Sequence, residues 1–506
     1  MLVASARRHG IIRGRTSCAT QPLTTPLDTA RRAASPRFHP APTPLASVAI
    51  HGAVALAWLV LFGCAFVVGG VYAWSAGLAY ILYDTVLLCF TGLKTFALRD
   101  VRRVSRTVLT RPAIGVFIAA HDEVAVLAPT IANLLEREDR PDAIVVADDG
   151  SMDGTAELLN SRFGLATPAL GQWSSSATLP LHWLRLPHGG KARALNMALE
   201  STPAAGRTEI VITVDADTHL SDGAVAAMRD AFASDARLVA ATGVLAPVCG
   251  PGLLGRFFEW FQTYEYVRNF LSRYAWMRVD SLLLISGAFA AFRRGALLTV
   301  GGFDPHCLVE DYELIHRLVR YGALNGLDWR TSVVGRAHAR TEAPSSIAAF
   351  LRQRRRWFGG FLQTQYWYRA MVGDGRYGNV GRWMLPVKAI DTLQPMFGLA
   401  ALGVLLYAIA FGRWSVLLPV SAWIIAKIVV DLAFHLWSVH LYRRWIGVAT
   451  EARFDLALLA ALAEPFSFQI LRHLGAALGW VSFLRRERTW GKQKRLATIG
   501  ASDGDD

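Results

Sequence analysis

Val211-Ile-Thr-Val-Asp215-Ala-Asp217 is the stretch on which the reading of the fold turns. A run of β-branched residues ending in two aspartates one residue apart reads as a buried strand that delivers carboxylates to a sheet edge. Alternation along a strand puts Asp215 and Asp217 on one face, where they can share a divalent cation and its diphosphate ligand. Taken alone, the pair is read equally well as a solvated strand end leading into a helix cap.

The surroundings tip the balance. Short β-rich runs at Ala113–Ala119, Ala143–Ala147, Leu181–Leu186 and Glu209–Val214 are separated by helical stretches. One of these, Val124–Glu138, aligns Leu127, Ile131, Leu134 and Leu135 on one face. Strands alternating with helices predict a largely parallel sheet with ligands at the carboxyl ends of its strands, in an α/β domain spanning residues 110–345. Two more of those strand ends are acidic: His121-Asp122-Glu123 and Asp148-Asp149-Gly150-Ser151. Asp153 before Thr155 accounts for part of this acidity as helix capping. Three successive carboxylate-bearing strand ends at one edge favour a metal–nucleotide site, with Asp148 or Asp149 on the base or ribose and Glu123 in the opposite wall.

Further along, Gly189-Gly190-Lys191 precedes a helix over Ala192–Glu200. Glycines there allow close approach of phosphate to the backbone, and Lys191 adds charge; a solvated lysine in a turn is the plain alternative. Glu310-Asp311 opens another helix, where acidic residues suit the helix dipole. A transferase also needs a carboxylate to take the proton of an attacking hydroxyl, and Asp311 is the candidate base beside Glu310. Gln353-Arg354-Arg355-Arg356-Trp357 lies on a basic amphipathic stretch, Ile347–Tyr368. It reads either as an interfacial helix meeting lipid headgroups or as part of the site. In the second reading Arg356 meets a diphosphate and Trp357 offers a flat platform for a sugar, with Gln353 one turn away on the same face.

The chain of 506 residues is 53% hydrophobic and only 18% charged, too apolar for an ordinary soluble enzyme of its length. The excess is localised. Residues 44–98 are almost free of charge, Asp84 being the exception before Lys94, and predict two membrane helices joined near Gly69-Gly70. Basic residues flank both ends, which predicts a hairpin with both ends cytosolic. Residues 385–484 are apolar again, with spans near Met396–Phe411 and Val416–Val439 around Gly412-Arg413. Phe454–Leu484, interrupted by Glu464-Pro465, reads either as a crossing or as a re-entrant segment. Between them, residues 346–384 are expected to be interfacial helices. Residues 1–43, with seven Arg, one acidic residue and many Ser, Thr and Pro, predict a disordered basic tail, and residues 485–506 a basic and then acidic one.

The net charge of +14 lies beside the apolar stretches, which fits a membrane surface and not nucleic acid. Five scattered cysteines, Cys18, Cys64, Cys89, Cys249 and Cys307, form no CxxC pair, so neither a disulfide framework nor a zinc site is expected.

The order DDGS, GGK, DAD, Ser286-Gly-Ala-Phe289, Gly301-Gly302-Phe303, Glu310-Asp311, Thr341-Glu-Ala-Pro344 and QRRRW, over about residues 113–360, resembles the membrane-bound inverting family 2 glycosyltransferases. Cellulose, hyaluronan and poly-N-acetylglucosamine synthases belong to that group. The resemblance implies a GT-A fold inserted between membrane helices, a UDP-sugar donor and Mg2+ or Mn2+ held by Asp215 and Asp217. It implies donor contacts at Glu123, Asp148, Asp149, Lys191, Asp215, Gln353, Arg356 and Trp357, and acceptor contacts at Ser286, Gly287 and Trp357. Two departures stand out: His121-Asp122 where an aromatic residue and Asn are usual, and Val309 where Thr is usual.

The expected protein is therefore a multi-pass plasma-membrane (inner-membrane) enzyme with a cytosolic catalytic domain, extending a β-linked polysaccharide and working with or without accessory export or synthase subunits. Glu464-Pro465-Phe466 and Trp490-Gly491-Lys492 resemble the tails of poly-N-acetylglucosamine-type synthases and favour UDP-N-acetylglucosamine over UDP-glucose. A single-sugar transferase acting on a lipid, resembling ceramide glucosyltransferase, is the competing enzyme. A non-catalytic export scaffold is the competing class.

Overall fold

In the computed structural model, which describes residues 25–100, 111–201, 206–447 and 452–487, the β-rich runs pair into one nine-stranded sheet. The strands are β1 Ile114–Ala120, β2 Ala143–Asp148, β3 Trp173–Ser175, β4 Leu181–Arg185, β5 Ile210–Asp215, β6 Thr218–Leu220, β7 Leu238–Val248, β8 Phe289–Arg293 and β9 Arg330–Glu342. Their spatial order is β3-β4-β2-β1-β5-β8-β7-β9-β6. The expected parallel block is present: β4, β2, β1 and β5 run parallel in register, with Ala119 opposite Ala147 and Asp215. β1, β2 and β5 are buried on both faces along nearly their whole length, which is why they read as continuous apolar runs without alternation. Beyond β5 the sheet turns mixed, because β8 pairs antiparallel with both β5 and β7.

One strand signal misled. A turn follows Asp215, so β5 ends there and Asp217 precedes the short β6. Alternation therefore does not carry the two aspartates onto one face. Asp215 keeps its side chain 26% exposed, whereas Asp217 is buried with Oδ1 3.4 Å from the hydroxyls of Thr218 and Thr341.

Among the described residues, four helices are long and apolar enough to cross a membrane: Leu45–Val67, Gly70–Arg99, Val380–Ala410 and Trp414–Ile446. A 23-residue helix such as Leu45–Val67 is about 34 Å long, enough for a hydrocarbon core. Its outward side chains include Leu45, Leu59 and Val67, all exposed. Phe454–Phe466 and Phe468–Leu484 meet at a 51° bend at Ser467, two residues beyond Pro465 and close to the break expected at Glu464-Pro465. The second of these packs along the Ile347–Trp367 helix, where Gly475 and Gly479 let it approach Arg354 and Phe358 closely.

The N-terminal expectation needs correcting. Residues 1–24 lie outside the described residues, but 25–43 are not a disordered tail. Pro26–Ala34 is a helix, capped by Thr25 and with Pro at its first turn, and it docks on the catalytic domain through Leu27, Arg31 and Ala34. Composition suggested no core because the segment builds none of its own; it completes another. Residues 488–506, including Trp490-Gly491-Lys492, also lie outside the described residues.

Candidate active site

The carboxyl end of β5 meets the first turns of two helices, Lys191–Ser201 and Glu310–Leu324, where Lys191 lies against both Asp215 and Glu310. A cavity of about 740 Å³ opens there, and Lys191, Asp215, Ser286, Gly287, Glu310 and Asp311 line it. Gln353, Arg356 and Trp357 from the Ile347–Trp367 helix close another side. Nine of the residues singled out from sequence thus share one space, drawn from positions 191 to 357.

Charge organises this space. The Lys191 ammonium rests on the Asp215 carboxylate and lies 3.9 Å from Glu310. Burial works against its charge, but Asp215 and Glu310 outweigh burial and hold its pKa above the ordinary value. Burial pushes the Glu310 carboxyl above the usual carboxylate range; Lys191 opposes this and neighbouring Asp311 adds to it. Asp311 accepts the backbone N–H of Gly287 at 2.7 Å and that of Tyr312 at 2.8 Å, which fixes its orientation. The backbone of Gly287 approaches Asp311 closely: a Cβ there would sit 2.9 Å from Asp311 Oδ2 and displace the carboxylate.

The structure treats Asp148, Asp149 and Asp217 differently. They are buried and do not line the cavity. Asp148 accepts from Ser151 N–H and the Trp183 indole, at 2.8 and 3.3 Å. Asp149 accepts both Gly189 and Gly190 N–H, at 2.8 and 2.7 Å, so it holds the glycine loop that presents Lys191. Glu123 is half-buried at the start of the Val124–Leu135 helix, away from the cavity lining.

His121 and His188 stack with ring centres 4.1 Å apart, and both Nδ1 atoms face the Asp149 carbonyl oxygen. His121, Asp149 and His188 bring ligand atoms within 4.8 Å of one another, a spacing compatible with a metal ion. The Asp149 carboxylate is already committed to the glycine loop. Asp215 faces the cavity, with its carboxylate paired to the Lys191 ammonium.

Sequence reasoning missed the membrane share of the lining. The cavity continues between the membrane helices past Tyr83, Asp84, Lys388, Asp391 and Lys427. Lys427 pairs with Asp84 at 2.7 Å and Lys388 with Asp391 at 2.6 Å. The available signal was charge within apolar spans, which marks a protein-facing or water-facing position. Also missed was Glu265, whose bidentate pair with Arg354, at 2.6 and 2.7 Å, fixes the helix carrying Arg356 and Trp357.

This geometry defines a class, a membrane-integral glycosyltransferase of GT-A fold, and the comparisons agree. The profile for glycosyl transferase family group 2 matches residues 210–463, half of the chain, and that for glycosyl transferase family 2 matches residues 115–301. The chain belongs to glycosyl transferase family group 2.

Among curated proteins it is similar to a poly-beta-1,6-N-acetyl-D-glucosamine synthase of Staphylococcus epidermidis, 26% identical over 259 residues, or 50% of this chain and 56% of that protein. The synthase of Staphylococcus aureus strain COL is 25% identical over 248 residues, covering 49% and 54%. The chain thus spans about half the length of the curated relatives it matches. Among solved structures, the mannosyltransferase PcManGT from Pyrobaculum calidifontis, in complex with GDP-Man and Mn2+, shares the fold with a TM-score of 0.50. That match is 19% identical and covers 78% of this chain and 99% of that one.

Proposed function

We propose that this protein transfers a sugar from a UDP-sugar, with inversion, to a hydroxyl of a growing β-linked polysaccharide at the cytosolic face of the plasma membrane. One observation carries the reading: a single cavity joins the Lys191–Asp215 and Glu310–Asp311 groups to Arg356-Trp357 and continues between membrane helices. Asp311, held by Gly287 N–H, takes the proton of the acceptor hydroxyl as that oxygen attacks the anomeric carbon. Lys191 and Arg356 stabilise negative charge building on the departing nucleoside diphosphate. Trp357 offers its face to the acceptor sugar, and Ser286 and Gly287 flank it. Asp149 acts on the donor by holding the loop that carries Lys191, Asp148 by fixing the turn at Ser151 beside it, and Glu123 would stand at the far wall of the nucleoside end. Asp215 and Asp217 would hold Mg2+ or Mn2+, which when bound supplies positive charge to the diphosphate.

Similarity to the staphylococcal synthases supports UDP-N-acetylglucosamine as donor, ahead of UDP-glucose. A lipid acceptor is the second reading, favoured by the extension of the cavity between membrane helices. Membranes bearing the protein, incubated with a panel of radiolabelled UDP-sugars, should yield a ladder of polymer from one donor. A single sugar on lipid would select the second reading, and no incorporation from any UDP-sugar would overturn both.

A further inference from the structure

The Lys191–Ser201, Glu310–Leu324 and Ile347–Trp367 helices bring the chemistry to the cavity, and residues 25–43 touch the remote part of each. Leu27 N–H donates to Glu200 on the first, at 3.2 Å. Arg320 on the second donates to the Ala34 carbonyl, at 2.8 Å. Arg37 stacks over Trp367 at the end of the third, 5.1 Å from its ring centre, and Arg369 just beyond donates to Thr43 at 2.9 Å.

The segment also grips the loop that leads into Glu310-Asp311. Arg31, only 6% exposed, donates to the carbonyls of Gly301 and Phe303 at 3.1 and 3.0 Å. Arg37 holds both oxygens of the fully buried Asp304, at 2.8 and 2.6 Å. Asn196 from the Lys191 helix and Arg317 from the Asp311 helix bind the same loop from within. Gly301 and Gly302 shape the slot: a Cβ on Gly301 would lie 2.1 Å from Arg31 N, and both glycines have positive φ.

We propose that residues 25–43 form a strap whose Arg31 and Arg37 are positioning residues, holding the 301–309 loop and the three helices in the register that places Asp311 against Lys191 and Arg356. The strap runs directly into the Leu45–Val67 membrane helix, so it also ties that register to the membrane anchor. A misplacement of about 1 Å at a reacting group costs up to about a hundredfold in rate, so loss of the strap should act on turnover before it acts on binding.

Because turnover is the readout, this inference rests on the proposed transferase reading, and the test separates the two. In the full-length membrane protein, Arg37→Ala removes the Asp304 contact, while Leu27→Asp undocks the strap helix and leaves Arg37 in place. Both should lower kcat about tenfold or more while the affinity for UDP stays within about threefold. Arg37→Lys should recover most of the lost kcat. A kcat within about twofold of wild type in either variant would overturn the inference. So would UDP affinity falling in step with kcat in both, since the strap would then be a general stabiliser. Hydrogen exchange needs no donor: amides of residues 301–313 should lose protection in both variants, and unchanged protection would refute the strap even in a protein inactive with every UDP-sugar. That inactivity in wild type would sink the transferase reading alone.

Discussion

Asp311 is held at one oxygen by Gly287 N–H and at the other by Tyr312 N–H, so its proton-accepting role depends on a fixed orientation as well as on charge. Asp311→Asn keeps shape and loses basicity. It should lower kcat by about 10²–10⁴ while leaving UDP affinity nearly intact, as read by steady-state kinetics beside calorimetric titration. Retained turnover would remove Asp311 as the base. Asp217 makes a different case: it is buried directly behind Thr341, which lines the cavity, so a cation on Asp215 would have to draw it in from the second rank. Asp217→Ala should abolish the Mn2+ or Mg2+ dependence of UDP binding; an unaltered metal titration rules out its role as a ligand. The residue types were legible in sequence, since acidic and basic groups stand out against β-rich runs. Their exposure was not, because a turn after Asp215 breaks the alternation on which that estimate rests.

Helices carry most of the site, and their burial sets a pH response. His316 on the Glu310–Leu324 helix donates from Nδ1 to the Tyr312 carbonyl at 2.9 Å, and its Nε2 has no hydrogen-bond partner among the described residues. Burial lowers its pKa to about 4, and burial together with Arg340 lowers that of His338 on β9 to about 4 as well. Both stay neutral in the fold, while the unfolded chain takes up protons below about 6.5. Stability from this source is therefore complete above pH 6.5 and falls as pH drops toward 4, by roughly 1.4 kcal/mol per pH unit for each histidine. Denaturation midpoints measured from pH 7 to pH 4.5 should show this slope, and His316→Gln should make it shallower by one proton's worth. An identical slope in that variant would show that His316 does not titrate on unfolding. The helix bearing QRRRW was legible from its periodicity. Its anchor at Glu265, 89 residues away in sequence, was not, because no local pattern encodes a partner at that distance.

For the whole molecule, three of the four apolar helices, Gly70–Arg99, Val380–Ala410 and Trp414–Ile446, share one cavity with the catalytic domain, so membrane and chemistry are one structure. With both termini of the first hairpin on the catalytic side, an engineered cysteine at exposed Thr178 should react with a membrane-impermeant maleimide from the cytosolic face only. Labelling from the opposite face would invert the proposed topology. The sequence by itself determined the parallel α/β core, the apolar spans and the set of chemical groups. These follow from local propensity, hydrophobic period and charge, all of which act over a few residues. Only the tertiary structure decided which carboxylates face the cavity, which membrane-borne charges join it, and that residues 25–43 are part of the fold. Those outcomes depend on contacts between distant segments. For the strap, the stabilising burial belongs to a slot made by Gly301-Gly302 and Asp304, some 270 residues downstream.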